Sequence, residues 1–282
     1  MHVPVRARPA GTGRYAYPEH LRPQIANLPR APGAYMFHGD GDALLYIGKS
    51  VDIRSRVLAH MRTPDEACLL RQSRRITYTR TAGDLGARLL EARLVKLMQP
   101  LYNRKLRRTR NLFSIRLLPG RPVVVSSREL RFAAIPGLHG LFSSRTAALR
   151  ALRAVADGNR LCYGLLGIEK VPPGRPCFRA TIGRCAGACC GRESVAEHGM
   201  RLEAALQKMR VETWPHGGAI GIVERGADMV QIHVVRDWHY LGSAAGIGEA
   251  RMLDRVAEGF DGDGYRILVK PVLSGTYELL PL

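Results

Sequence analysis

The sequence predicts a mixed α/β (α+β) fold in three parts. These are a small first domain whose helices flank a central, antiparallel-containing sheet, a cysteine-containing middle region and a smaller C-terminal α/β domain. Two strand-like segments flank a dense turn near residue 40, and a strongly helical stretch follows them. A Gly-rich hinge then precedes further strand patterns. The expected divisions are a basic N-terminal extension at 1–27, the first domain at 28–106, the middle region at 107–213 and the C-terminal domain at 214–282.

The first domain should begin with a β-hairpin. Strand patterns at 33–38 and 43–47 surround Gly39-Asp40-Gly41-Asp42, which is a dense turn sequence. With a four-residue loop, Tyr35 lies directly opposite Tyr46, and both phenol rings share one face of the sheet. The loop length therefore predicts two adjacent tyrosines.

Two helices and a third strand should complete this domain. Gly48 is expected to end the second strand, and Ser50 to cap a helix that runs to about Met61. A strand is expected at 76–81, followed by a helix at 84–98.

The remaining chain contains weaker patterns of the same kinds. The middle region suggests short strands at 112–118 and 122–126, a helix at 145–156 and a helix around 194–211. After the hinge at 214–218, expected elements are strands near 219–224, 229–235 and 265–271, and a helix near 248–258.

The charge of the chain points to a polyanionic partner. The formal net charge is +19 and the pI is about 10.4, which would suit DNA, RNA or an anionic membrane surface. Residues 1–110 hold 21 Lys and Arg against 8 Asp and Glu. An Arg-rich composition with a solvated linker would also explain this, but the skew towards one segment favours nucleic acid.

Other features bound the location of the protein. No apolar run approaches the ~18 residues of a membrane span, and the basic N-terminus lacks the apolar core of a secretory signal. A cytoplasmic protein that contacts no membrane is therefore the expectation. The apolar content of 46% excludes a disordered tail.

A set of residues in the first domain resembles a known nuclease pattern. Its members keep a fixed order and spacing: Gly33-Ala34-Tyr35, Tyr46-Ile47-Gly48-Lys49, Arg56, Glu91 and Asn103. This arrangement resembles the GIY-YIG nuclease superfamily, and within it the N-terminal half of UvrC. The likeness spans 28–106, is weaker through the cysteine region, and is greatest to the short, Cho-type members of that family. Ala34 departs from the Ile of the pattern, at a position expected to serve packing.

The resemblance implies a metal-dependent phosphodiester hydrolysis. Glu91 is the one carboxylate in the pattern, which implies a single Mg2+ or Mn2+ ion. Tyr46 would be the general base, and Tyr35 would orient the water or a phosphate. Because a phenol has a pKa near 10, Tyr46 would need nearby cations such as Lys49 and Arg56. The planar guanidinium of Arg56 would also clamp the scissile phosphate.

Further residues of the first domain are expected to contact phosphate or DNA. They are polar, basic or, in one case, without a side chain: Gly48, Lys49, His60, Asn103, Arg104, Lys105 and Arg107. His60 replaces a tyrosine found in many UvrC proteins, one helical turn beyond Arg56.

Each position alone also has an ordinary structural explanation. The two tyrosines could form a half-buried cross-strand pair, and Glu91 could pair with Arg88 on its helix. Arg56 and His60 could belong to a polar helix face, and Asn103 could be a turn residue. These explanations do not account for the joint order and spacing, so a nuclease is the favoured function.

The cysteines form a second pattern. Five of the six lie within 29 residues, and Cys162, Cys177, Cys185 and Cys189 resemble the four-cysteine region of UvrC. By that resemblance they could hold a [4Fe–4S] cluster, and four thiolates would equally suit Zn2+. A buried cysteine cluster without a ligand is the alternative. Cys68 and Cys190 are expected to be spare.

The resemblance also suggests partners and a reaction. It implies one incision 3′ of a lesion, in double-stranded DNA already marked by UvrB with UvrA upstream. The alternatives are a stand-alone structure-specific or mobile-element endonuclease with the same site, and a non-catalytic DNA-binding protein. Intact Tyr46, Arg56 and Glu91 argue against the last of these.

Overall fold

The computed structural model describes residues 18–104, 106, 111–118, 121–172, 174–256 and 259–282. Most of the predicted N-terminal extension, together with Lys105 and Arg107, lies outside them. The chain forms two compact units, one holding residues up to Arg107 and the other most of the remainder. Among the described residues, no helix is long and apolar enough to cross a membrane.

The first unit is built on a three-stranded antiparallel sheet in the order β2-β1-β3. Its strands are β1 (Gly33–His38), β2 (Leu44–Ser50) and β3 (Arg75–Arg80). Its helices are α1 (Arg22–Ala26), α2 (Ile53–His60), α3 (Ala67–Gln72) and α4 (Asp84–Met98). The apolar side of α2 faces the core, because Ile53 and Val57, together with Met61 directly after the helix, are fully buried. Helix α4 has the predicted bounds, and Gln99 ends it in the left-handed conformation.

The register of the hairpin differs from the prediction. Tyr35 lies opposite Gly48, and Tyr46 lies opposite Phe37, two residues away along β1. The loop is longer than four residues, since His38 pairs with Leu44, and a bulge then shifts the register by one residue. The two tyrosines still share one face of the sheet, as diagonal rather than direct neighbours.

The start of α2 also differs from the prediction. Gly48 does not end the second strand, which continues to Ser50. The cap of the helix is Asp52, whose side chain accepts a hydrogen bond from the backbone N–H of Ser55. Ser50 instead donates its hydroxyl proton to the carbonyl oxygen of Asp52.

The second unit contains two four-stranded antiparallel sheets, ordered β5-β4-β6-β7 and β10-β9-β8-β11. The strands of the first are β4 (Phe113–Leu118), β5 (Arg121–Ser126), β6 (Leu138–Phe142) and β7 (Arg210–Val211). Those of the second are β8 (Ile220–Arg225), β9 (Val230–Arg236), β10 (His239–Ala244) and β11 (Glu278–Pro281). The helices are α5 (Arg145–Gly158), α6 (Phe178–Thr181), α7 (Val195–Leu206), α8 (Ile247–Ala250) and α9 (Gly262–Leu273).

The prediction of a strand at 265–271 was wrong, because these residues lie within α9. Asp261 caps this helix by accepting from the N–H of Asp263. Its buried residues Tyr265, Leu268 and Val272 recur at helical intervals. The helix expected near 248–258 is reduced to α8, and the one expected at 194–211 ends at Leu206. Strands β6, β7, β10 and β11 were not predicted.

Candidate active site

A cavity of about 380 Å³ opens in the first unit at the site that the motif indicates. Strands β1 and β2 and helices α2 and α4 contribute side chains to it. Its lining consists of two phenols, two cations, one carboxylate and two further residues: Tyr35, Tyr46, Lys49, Arg56, Glu91, Ser50 and Val51. Five of the predicted site residues, far apart in sequence, are thus brought around one space.

Tyr35 sits at the buried side of this cavity, with only 1% of its surface exposed. Its ring lies across Gly48, the residue opposite it on β2. A Cβ atom at Gly48 would stand 2.4 Å from the Tyr35 hydroxyl and 2.5 Å from its Cζ. Gly48 is therefore required for packing against the phenol, a reason unrelated to its predicted contact with phosphate.

A hydrogen-bonded chain continues from Tyr35 away from the cavity. The Tyr35 hydroxyl lies 2.5 Å from Nε2 of His60, and Nδ1 of His60 contacts the Glu66 carboxylate. His60 is only 2% exposed, and burial lowers its pKa, although Glu66 opposes this. Its buried position argues against the predicted contact between His60 and DNA. Glu66 was not predicted at all.

The two phenols are close, and both are held in their neutral form. The ring centroids of Tyr35 and Tyr46 are 6.2 Å apart. Burial raises the pKa of both hydroxyls, and Tyr46 and Glu91 respectively raise them further. Arg56 lowers both pKa values, as expected from its charge, but burial outweighs it.

Glu91 presents the carboxylate of the cavity. Burial raises its pKa, while Lys49 and Arg56 oppose that effect. A desolvated carboxylate facing an open cavity suits a bound divalent cation, whose charge would restore the ionised form. The donor set therefore fits a single Mg2+ or Mn2+ ion.

Helix α4 also organises the cations around Glu91. Asp84, in its first turn, accepts a hydrogen bond from the Lys49 ammonium at 2.7 Å. The same carboxylate pairs with Arg88 at 2.7 Å. Arg88, which could have paired with Glu91, is thus engaged one turn earlier, and Lys49 is held beside the cavity.

Asn103 has a structural position. Its Oδ1 accepts from the N–H of Ile47 at 2.9 Å, and its Nδ2 donates to the carbonyl of Ile47 at 2.8 Å. Asn103 is 8% exposed, so this geometry argues against the predicted DNA contact. Arg104 is exposed beside it.

The second unit brings four cysteines together, and they are the four that the sequence pattern predicted. The Sγ atoms of Cys162, Cys177, Cys185 and Cys189 all lie within 4.8 Å of one another. Three backbone N–H groups, those of Cys177, Ala180 and Gly187, donate to these sulfurs at 3.3 Å. Burial raises the pKa of the Cys162 thiol to about 12.

This cysteine set fits a metal centre. Four thiols and donors aimed at sulfur suit either tetrahedral Zn2+ or an iron–sulfur cluster, both of which bind thiolates. Cys68 and Cys190 do not belong to the set. Cys68 is exposed in the first unit, and Cys190 donates its thiol proton to the carbonyl of Gly187.

Glu66 is the functional candidate that sequence reasoning missed. It ends a single 3-10 turn at Pro64–Glu66, six residues after His60. No sequence periodicity connects Glu66 to the motif. Its side chain meets that of His60 only because of the path that the chain takes after α2. The one signal in the sequence was that Glu66 follows His60, whose role was uncertain, by six residues.

Comparison with known families assigns each part of the chain. The family described as "UvrC-like GIY-YIG domain" matches residues 31–104. "UvrC/Cho excinuclease, middle domain" matches 115–208, and "Excinuclease Cho C-terminal domain" matches 219–282.

Individual relatives agree with these matches. The chain is 54% identical over 269 residues to "Excinuclease cho" of Escherichia coli K12, covering 95% of this chain and 91% of the relative. The identity to "Excinuclease cho" of Salmonella typhimurium LT2 is 53%, covering 95% and 92%. It is 30% to "UvrABC system protein C" of Halobacterium salinarum, covering 69% of this chain but 34% of that protein.

Among solved structures, the GIY-YIG N-terminal endonuclease domain of UvrC from Thermotoga maritima, bound to magnesium, is similar. The identity is 27%, the TM-score is 0.28, and the match covers 30% of this chain and 97% of that domain.

Proposed function

Because the chain belongs to the Cho branch of the UvrC-like GIY-YIG excinucleases, we propose that it hydrolyses one phosphodiester bond 3′ of a lesion in UvrB-loaded DNA. Family membership confirms the predicted resemblance and makes the chain a nuclease of DNA repair. The position of the cut and the partner are the proposal. We assign the chemistry to the domain at 28–106, followed by the predicted regions 107–213 and 214–282.

The observation that carries the proposal is the convergence of Tyr35, Tyr46, Arg56 and Glu91 on one cavity. A divalent ion held by Glu91 would supply charge neutralisation on the phosphate and a polarised water. Arg56, exposed at the cavity, is placed to clamp the phosphate with its planar fork. Lys49 adds positive charge at the same edge.

Tyr46 is proposed as the general base for the attacking water, and Tyr35 as the group that orients that water. Burial raises the pKa of Tyr46, so this role needs compensating positive charge in the cavity. Arg56 supplies part of it, and a cation at Glu91 would supply more. The reaction should therefore depend steeply on the divalent ion.

The rest of the proposal concerns partners and the cysteine centre. A strongly basic chain binds the DNA backbone without reading bases, so lesion choice should come from UvrB, with UvrA upstream. The exposed Arg104, together with Lys105 and Arg107, is proposed to contact phosphates. The cysteine centre is proposed to hold an iron–sulfur cluster or Zn2+ in a stabilising role, and the protein to act in the cytoplasm.

The decisive experiment is incision of an end-labelled duplex that carries one bulky lesion, with Mg2+. The proposal expects a single cut 3′ of the lesion that appears only when UvrA and UvrB are present. An undamaged duplex is the matched control and should remain intact. Equal cutting of both duplexes without partners would instead support a stand-alone structure-specific endonuclease.

A further inference from the structure

The carboxylate of Glu66 is connected to the cavity through two side chains. It receives a contact from Nδ1 of His60, whose Nε2 lies 2.5 Å from the Tyr35 hydroxyl. His60 is almost fully buried, and Tyr35 has 1% of its surface exposed. Glu66 is about one-third exposed, so this chain leads from the solvent edge to the inner wall of the cavity.

The direction of each hydrogen bond in this chain follows from the chemistry of its members. An ionised carboxylate can only accept, so the Nδ1 of His60 must carry a proton. A neutral imidazole carries one proton, which leaves Nε2 as an acceptor. The short contact from Nε2 can then be satisfied only by the Tyr35 O–H as the donor.

We propose that Glu66 is a positioning residue for the hydrolysis: it fixes the tautomer of His60, so that Nε2 accepts a hydrogen bond from the Tyr35 hydroxyl and the phenol oxygen faces the cavity as an acceptor. The inference rests on the proposed function, because it assigns a role within the same site. It extends that function by naming a residue outside the motif.

This polarity determines what Tyr35 can do. With its proton committed to His60, the phenol oxygen cannot donate to a phosphate, and it can accept from the guanidinium of Arg56 or from a water. Tyr35 therefore orients the attacking water by accepting a hydrogen bond from one of the water's O–H groups, rather than by donating a proton. If the tautomer were reversed, Tyr35 would point a proton into the space that the water occupies.

Packing alone does not account for Glu66. The ring of His60 already packs against Tyr35, Phe37 and Tyr46, with centroids 5.4 to 5.6 Å apart. Those contacts hold the ring in place but do not distinguish one nitrogen from the other. The carboxylate is the group that sets which nitrogen is protonated.

The test compares substitutions that differ in hydrogen-bonding capacity. E66M removes the acceptor while keeping a side chain of similar length, and E66Q keeps an oxygen that can still accept. D65N is the matched control, since Asp65 is exposed on the same turn and its substitution removes the same charge as E66Q. Each full-length variant is assayed for incision of the lesion duplex under single-turnover conditions with UvrA, UvrB and Mg2+.

The proposal expects E66M to lower the cleavage rate about 10- to 100-fold at saturating enzyme. The enzyme concentration that gives half of the maximal rate should change little. E66Q should retain part of the lost rate, and D65N should match the original protein. Equal rates for E66M and D65N would overturn the proposal. A loss in E66M that appears only as weaker binding would also overturn it.

A second measurement does not depend on activity. In protein labelled with 15N-histidine, the proposal expects His60 to be in the neutral Nδ1–H form, with its signals identified by their loss in H60Q. E66M should shift His60 towards a mixture of tautomers. An Nε2–H form or an imidazolium at neutral pH in the original protein would overturn the proposal. If the protein failed to cut DNA but kept the expected tautomer, the proposed function would fail separately.

Discussion

Gly48 illustrates how a single residue determines the geometry of the site. The Tyr35 ring occupies the space that any side chain at this position would need. G48A should therefore displace the Tyr35 hydroxyl from His60 and the cavity, and lower the single-turnover rate about 100-fold. Substrate binding should change little, because Arg56 and the other basic residues remain.

The matched control for G48A is G217A, since nothing lies within 4 Å of a Cβ atom at Gly217. It should cut at the original rate and unfold at the original temperature. A fully active G48A protein would show that the position of Tyr35 does not matter to the reaction.

The sequence could predict most of the residues around the cavity. Tyr35, Tyr46, Lys49, Arg56 and Glu91 were selected from their order and spacing, and they meet in one space. The individual roles could not be predicted as well, because they depend on burial and direction. Asn103 and His60 looked like candidates for DNA contact, but both are turned into the protein.

Among the secondary-structure elements, the edge strand β2, which carries Tyr46 and Lys49, is stabilised by Asn103. Both atoms of its amide pair with the peptide groups of Ile47, within the protein. N103A should leave two buried peptide groups without these partners and lower the free energy of unfolding by about 2 kcal/mol. Chemical denaturation monitored by fluorescence would measure the change.

The control for N103A is N159A. Asn159 also donates its side-chain N–H to a backbone carbonyl, that of Val155, but this bond is exposed. N159A should lower the free energy of unfolding by less than about 1 kcal/mol, because water can replace the lost hydrogen-bond partner. An equal loss of unfolding free energy in N103A and N159A would mean that the hydrogen bonds of Asn103 to Ile47 do not stabilise β2.

The elements that the sequence did not predict were missed for two different physical reasons. The turn between β9 and β10 is formed by Asp237 and Trp238, both left-handed with φ of 51° and 66°. Two-residue hairpin turns with positive φ usually contain Gly or Asn, and neither occurs at these two positions, so no hairpin was expected there. Trp238 is fully buried, which compensates for this conformation through packing. The residues of α9 are rich in Ile, Leu and Val, which made a helix look like a strand.

For the whole molecule, the metal content of the purified protein tests the proposed cysteine centre. Protein purified without oxygen should contain about one zinc ion or about four iron ions per chain. C177S/C185S should lose the metal and unfold at a lower temperature, because a structural site contributes directly to folding. C190S is the control and should keep the metal. Absence of both metals from the original protein would contradict the proposed centre.

Glu91 is the one carboxylate that lines the described cavity, and it is the proposed ligand of the catalytic ion. The most direct measurement is the single-turnover nicking rate of E91Q on the lesion duplex with UvrA, UvrB and Mg2+. Glutamine keeps the shape of the side chain and removes its charge, so the rate should fall about 1000-fold, equivalent to about 4 kcal/mol of barrier. DNA binding should be retained. Nicking by E91Q at the original rate would contradict the assignment of this cavity as the active site.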